Sequence, residues 1–536
     1  MNIKNIITFA AALAFLAQAH NAVAQSQDLS NPVTQAVLAV YADQLRENPQ
    51  DYEVYLLRAN EYYRHNEYIR ALADVNKALE YIPESEKDAR FRAYVLRAGI
   101  NDQTKHLNEA LNDYSSAFAL DPTSPLVVHQ KANTEYSLGR YEDAKEDYQR
   151  LQRINPRSPE AYIGLARVAV QQNNLGMAND YLAQAVNFDP NNAELYVRRA
   201  SVRKQMGDHN GAVDDLILAL SSDNKHTKAL NELVDYGNTN YAATMNGLTS
   251  AISQAPTVGM FRYIRAVIAQ AHYNYLAAID DYRYIIDENL YKYHGLHASL
   301  AECRFALGDY TQALDDIDYA LGMTRNVASY YVLRSRILRA LDRTDQAVEA
   351  AAKGLAIDRN SCLALAEMAL CYVAKENYDE ASALLAEATL TDAEAPQYYL
   401  LRGWVMATFQ DKAKQAEGQY EKVTDMDHFY MDNVRSLRGF ALLFLGNDSQ
   451  ATRWMDNILD TVTDSDGLLH YYGACFFARS GNTERAMRCA EESLKLGYAN
   501  YHDWADNTDG LVNVAPLRDD LRFLNLLHRH RHIFGK

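Results

Sequence analysis

The 536-residue sequence holds only 5 cysteines, Cys303, Cys362, Cys371, Cys475 and Cys489, all in its C-terminal half. None forms a Cys-x-x-Cys pair, so neither a redox motif nor a zinc site is implied. Their odd number leaves two readings open, a disulfide in an oxidising compartment or buried small apolar residues on helices. Cations are also scarce, with 53 Lys and Arg against 70 Asp and Glu and a formal net charge of -17. With no basic cluster beyond the short tail, that balance argues against nucleic acid or anionic lipid as a partner. The sequence contains no phosphate-cradling glycine loop, no Gly-x-Ser-x-Gly elbow and no His-Glu-x-x-His pair. These absences remove the common hydrolase and nucleotide-dependent classes, and no cofactor is implied. No window after the first two dozen residues approaches about 18 uninterrupted apolar residues, so no membrane span is expected.

What the sequence has in quantity is a pair of small residues twelve positions apart, returning about every 34 residues. The first member stands at Ala59, Ala98, Ala132, Ala166, Ala200, Ala266, Ala301, Ser335, Ala369, Gly403, Gly439 and Ala474. Its partners are Ala71, Ala110, Ala144, Ala178, Ala212, Ala278, Ala313, Ala347, Ala381, Ala451 and Ala486, with Ala416 one place late. Two antiparallel helices approach closely only where one side chain on each is small. Tyrosines such as Tyr55, Tyr162 and Tyr331 sit four residues before the first small residue and fill in around that contact. Gly139, Gly207, Gly308, Gly446 and Gly481 fall at the turn between helices, and Pro83, Pro122, Pro156, Pro190 and Pro256 close units. Such a unit cannot bury its apolar face alone, so the repeats must stack.

On these residues the chain resembles a tetratricopeptide repeat (TPR) protein across roughly residues 50–497, of the exported bacterial type. The resemblance implies an all-α, right-handed superhelical solenoid of about 13 helix-turn-helix repeats. Residues 1–24 read as a cleavable signal peptide, with Lys4, an apolar stretch from Ile6 to Leu16 and a small-x-small site at Ala22-Val23-Ala24. A periplasmic or exported location follows. Residues 25–49 read as a linker and N-terminal capping helix, 50–224 as the front half of the array and 259–497 as the back half. Between them, residues 225–258 form a degenerate repeat with Glu232 and Thr244 at the small positions, and are expected to act as a hinge. Residues 498–536 read as a C-terminal cap and tail.

The chain is therefore expected to be a non-catalytic scaffold that binds protein or peptide partners through the concave face of the array. Family resemblance places groove-facing residues one and four places after each first small residue. In the front half these are Asn60 and Tyr63, with Arg64 beside it, then Asn133 and Tyr136, Arg167, and Ser201 and Lys204. Asn can pair with a peptide backbone and Arg or Lys with carboxylates, but the same side chains could simply be solvated. In the back half the positions read Phe305, Leu370 with Val373, Trp404, Phe440 with Leu443, and Cys475. That set is either an apolar binding strip or core packed against neighbouring repeats and the cap. Two alternatives stand beside the scaffold: a structural subunit of an envelope assembly using its convex face, and a metal-binding or enzymatic protein using His528, His530 and His532. On a helix His528 and His532 share a face and His530 does not, so three ligands would converge only on an extended tail.

Overall fold

The computed structural model describes residues 32–290, 293–426 and 432–536. The signal-peptide reading of residues 1–24 lies outside the described residues. Among the described residues there is no strand; a lone helix, Pro32–Glu47, precedes thirteen consecutive helix pairs running from Tyr52–Arg64 and Tyr68–Tyr81 to Leu468–Arg479 and Thr483–Leu496. The fold is all-α, as expected. The chain divides into two compact units, one of residues up to 236 with 242–247, the other of 237–241 with 248–536.

Within each unit the small residues do what their spacing demands. Ala59, Ala98, Ala132, Ala200, Ala266, Ala301 and Ala474 have no exposed surface, and neither do their partners Ala71, Ala110, Ala144, Ala212, Ala278, Ala313 and Ala486. At Gly403 a Cβ would lie 2.4 Å from the Tyr420 ring, so the position tolerates no side chain while that tyrosine fills the gap. The residue seven places after the first small residue adopts the left-handed conformation, whether it is Gly139 (φ 75), Gly308 (φ 78), Asn66 (φ 61), Asp342 (φ 57) or Tyr273 (φ 60), except after Gly403, where Asp411 (φ 51) does so one place late. A tyrosine seldom sits there. Tyr273 is buried, and its ring meets Tyr498 edge-on at 4.7 Å, a contact that offsets the backbone cost. Tyr162 and Tyr196 donate hydrogen bonds to the carbonyls of Pro156 and Pro190 at 3.1 and 3.0 Å, tying each helix start to the proline that closes the preceding unit.

A second periodic device joins the two helices of a repeat. In five repeats the residue just before the first small position is a cation, and sixteen places later stands an aspartate: Arg58 with Asp74, Arg97 with Asp113, Lys131 with Asp147, Arg199 with Asp215 and Arg265 with Asp281. These contacts run from 2.6 to 2.7 Å, and the five aspartates are buried. Arg402 occupies the same place, but its repeat has the late Ala416, so Gln419 stands where an aspartate would. Gln419 offers only its amide oxygen at 3.3 Å, and the Arg402 Nε is buried without a partner. Burial lowers the Arg402 pKa. Gln419→Asp is therefore expected to stabilise the protein by about 1–2 kcal/mol, a charged hydrogen bond less a small loss of helix propensity. Thermal unfolding that shows no gain would mean the guanidinium is already satisfied.

The degenerate repeat forms both of its helices, Thr227–Thr239 and Tyr241–Gln254. Thr244 is fully buried with an unpartnered hydroxyl, and Glu232 meets Lys204 of the preceding repeat at 2.9 Å.

Candidate functional site

The front-half candidates do not all meet. Asn60 and Arg64 are exposed at one end, where Arg64 reaches Glu61 at 3.3 Å, and Tyr63 packs its ring 6.1 Å from Tyr68. Asn133, Tyr136 and Arg167, from consecutive repeats, do come together. Arg167 lies 4.0 Å over the Tyr136 ring and donates to the Asn133 Oδ1 at 3.3 Å, which also accepts from the Tyr148 hydroxyl at 2.7 Å. The Asn133 amide nitrogen faces His129 Nε2 at 3.1 Å. Burial lowers the His129 pKa, which favours a neutral imidazole accepting from that amide. Lys204 is paired with Glu232 and lies 4.8 Å from the centre of the Tyr236 ring. Each cation in this set thus already has a partner within the chain; Arg64 is exposed, and Arg167 and Lys204 are half-buried.

The back half is arranged differently. Phe305 and Phe440 are buried, with 4% and 0% of their surface exposed, and Cys475 is buried as well. Leu370, Val373, Trp404 and Leu443 are half-buried; Trp404 meets Phe409 edge-on at 5.2 Å. Among the described residues no continuous exposed apolar strip joins Phe305, Leu370, Trp404 and Phe440. Nor are the positions apolar throughout, because the repeat anchored on Ser335 places Arg336 and Arg339 there. The one-and-four rule that selected Phe305 and Trp404 selects these arginines too, and sequence reading passed over them.

Phe440 packs on Phe444 and Phe476 of the repeats, whereas Phe305 is covered from residues 498–536. That C-terminal stretch runs back along the repeats of its own unit, well beyond the last one. At the near end Trp504 is fully buried, its Nε1 donating to the Tyr498 carbonyl at 3.1 Å, with the rings of Tyr471, Tyr498 and Phe523 centred 4.9, 6.0 and 6.2 Å away. Further along, the His502 ring lies 4.4 Å from that of Phe305. The Tyr310 hydroxyl donates to Asp506 at 2.5 Å and so can only accept from His502 Nδ1 at 2.7 Å. Arg339 donates through both terminal nitrogens to Asp509, at 2.7 and 2.8 Å, and through Nε to the buried Glu367 at 3.1 Å. Arg479 donates to Asn513 at 3.0 Å. A Cβ on Gly510 would lie 3.3 Å from Leu401.

The electrostatics of this layer favour neutral pH. Burial pushes the His502 pKa down to about 4. A folded value below that of a free imidazole supports the folded segment above about pH 6.5 and counts against it as pH falls towards 4. For Asp509 burial acts upward, yet Arg339 outweighs it and holds the carboxyl below its ordinary value. That contribution is present above the ordinary carboxylate value and is lost as pH falls through the lower folded one, so both groups weaken the layer on acidification.

Two other places were candidates for chemistry. The tail is helical through Leu521–Arg529 and then turns; His528 and His532 are exposed, and the His530 and His532 rings are 6.1 Å apart. Among the described residues no group of three His, Cys, Asp or Glu could hold a metal ion. In an open cleft of about 420 Å³, His470 and Cys489 both contribute to the lining, and Asp464 accepts from His470 Nδ1 at 2.7 Å. Burial pushes the Cys489 thiol up to about 11, so it stays protonated at neutral pH, opposite to what a nucleophile requires. All five cysteines are free thiols.

Family models described as tetratricopeptide repeat match residues 136–198 and 338–405, and another of that description matches residues 193–226. The chain is 26% identical over 110 residues to human tetratricopeptide repeat protein 6, which covers 20% of this chain and 21% of that one. It is 28% identical over 134 residues to cellulose synthase operon protein C of Pseudomonas fluorescens (strain SBW25), covering 24% of this chain and 10% of that one. The chain thus spans about a fifth or less of the curated relatives it matches. Among solved structures, yeast Tom70 aligns at 16% identity over 90% of this chain and 95% of that one, with a TM-score of 0.38. YrrB, a TPR protein with an unusual peptide-binding site, aligns at 21% identity over 36% of this chain and 98% of that one, with a TM-score of 0.31.

Proposed function

We propose, from the premise that this chain is a tetratricopeptide-repeat protein, that it is a non-catalytic scaffold holding protein or peptide partners along the inner positions of its repeats. The observation that carries this reading is the convergence of Asn133, Tyr136 and Arg167 from neighbouring repeats into one polar and aromatic surface. Arg167 over a tyrosine ring is oriented but keeps donors free, since a guanidinium has five and the ring uses none of them. A partner's carboxylate or backbone carbonyl fits such a group. The signal-like residues 1–24 support export to the periplasm as the place where this happens, and among the described residues no helix is long and apolar enough to cross a membrane.

The test is a partner captured from envelope extract, then measured against the purified chain by calorimetry. Arg167→Ala with Lys204→Ala is expected to weaken binding by about 1–3 kcal/mol and to remove most of its salt dependence. Thermal unfolding of the same variant checks that the lost Glu232 and Tyr236 contacts have not unfolded the front repeats. A folded variant with unchanged affinity would move the site elsewhere.

A further inference from the structure

We propose that Phe305, Tyr310, Arg336, Arg339 and Arg479 form a second binding site, for an acidic peptide segment of a partner, and that residues 505–513 of this chain fill it as an internal stand-in. The inference rests on reading the chain as a peptide-binding scaffold, but on different residues from the front-half surface.

Position is the first support. Phe305, Arg336 and Arg339 stand one or four places after the first small residue of their repeats, the same inner register as Asn133 and Lys204, and Arg479 stands one place beyond that register in its own repeat. What they hold is not another repeat but a stretch of chain with little regular structure. Its side chains meet them as a ligand would: Asp506 on the Tyr310 hydroxyl, Asp509 in the fork of Arg339, Asn513 on Arg479.

The second support is how the stretch is fixed. Trp504 and Val514, immediately outside it, are fully buried. Between these anchors Gly510 and Asn513 are buried, but Asp506 and Thr508 are exposed and the Asp509 side chain keeps 29% of its surface, and the hydrogen bonds from the stretch to the repeats run through Asp506, Asp509 and Asn513. Nine residues tethered at both ends can lift from the repeats while Trp504 and Val514 stay where they are. The Asp506 contact is exposed and weak, the Arg339–Asp509 fork is the stronger, part-buried hold, and breaking both leaves the aromatic cage around Trp504 closed.

Charge supplies the third support. The stretch leaves the site unsaturated: Arg336 lies 4.9 Å over the Phe305 ring and makes no hydrogen bond or ion pair among the described residues. In a chain with a surplus of acids, an inner-register arginine that acts on Asp509 only through space, with no carboxylate hydrogen-bonded to it, fits a ligand from outside. A partner peptide with carboxylates spaced like Asp506 and Asp509, plus a third for Arg336, would satisfy more of the site than the internal segment does. It needs that advantage, because a tethered segment competes at an effective concentration on the order of millimolar.

The probe is a fluorescein-labelled synthetic peptide of residues 503–513, titrated by anisotropy into the full chain and into a full chain carrying Asp506→Asn and Asp509→Asn. These changes preserve shape while removing the two carboxylates that hold the stretch down. The variant is expected to bind the peptide about tenfold tighter than the unmodified chain and to show faster amide exchange at residues 505–513. Adding Arg336→Gln should remove most of that gain, whereas adding Arg167→Ala and Lys204→Ala should leave it intact. Equal binding by the two chains, unchanged exchange, or a gain that survives Arg336→Gln would each overturn the proposal. Sensitivity to Arg167 and Lys204 instead would place the peptide on the front repeats and refute the second site alone. Should the double variant fail to fold, Asp506→Asn by itself, altering an exposed side chain, is read with the same peptide and is expected to give a gain of about threefold.

Discussion

Replacing Trp504 by Ala is expected to cost about 3–5 kcal/mol, among the largest losses any single substitution here can produce. The indole is fully buried among Tyr471, Tyr498 and Phe523, and its N–H is satisfied by the Tyr498 carbonyl. Truncation removes the apolar burial, leaves a cavity that rigid rings cannot close, and frees the Tyr498 carbonyl. Tyr273, held in the left-handed region partly by Tyr498, would lose part of its compensation as well. Thermal or denaturant unfolding followed by circular dichroism measures the loss. A cost below about 1 kcal/mol would show that residues 498–536 contribute little to the stability of the repeats they lie on.

Arg97→Ala should produce a loss of similar size for a different reason. Its two nitrogens donate to Asp113 at 2.8 and 2.7 Å, and only 7% of that aspartate side chain is exposed. Removing the arginine strands a buried carboxylate whose remaining neighbour is the Asn101 amide at 3.4 Å, and about 3–5 kcal/mol is the usual penalty. If the penalty arises from desolvation, the double change Arg97→Leu with Asp113→Leu should recover most of it. A double variant as unstable as the single one would assign the loss to packing of the arginine stem.

The fold was legible because the small residues leave no alternative. An alanine at 59 and another at 71, repeated about every 34 positions, fix which helix faces touch, and local propensity adds only the ends. The ion pairs were equally present in the sequence, as a cation before five of the first small residues and an aspartate sixteen later. They went unread because charges are usually taken as surface, and nothing in a lone Asp113 says that it is buried. Phe305 and Phe440 could not be sorted into strip or core, since an aromatic at that register suits both. What decided it for Phe305 is His502, almost two hundred residues away, and no periodicity carries information over such a distance. Arg336 and Arg339 were within reach of the same rule that chose Phe305, and were missed because attention to aromatics suggested an apolar surface.

The reach of Asp506 and Asp509 back to Tyr310 and Arg339 spans 196 and 170 residues, whereas each repeat otherwise leans on the one about 34 before it. On the ribosome this separates two kinds of folding in time. Each helix pair can dock as soon as its own residues emerge, but Phe305, Tyr310 and Arg336 must wait for residues 502–509 to be made. At ordinary elongation rates that wait is on the order of ten to forty seconds. For that interval the nascent chain carries an uncovered aromatic and cationic surface, which makes it a target for holding chaperones and for wrong partners. The front repeats, whose hydrogen bonds among the described residues reach no further than the adjoining repeat, pass through synthesis without an equivalent exposure.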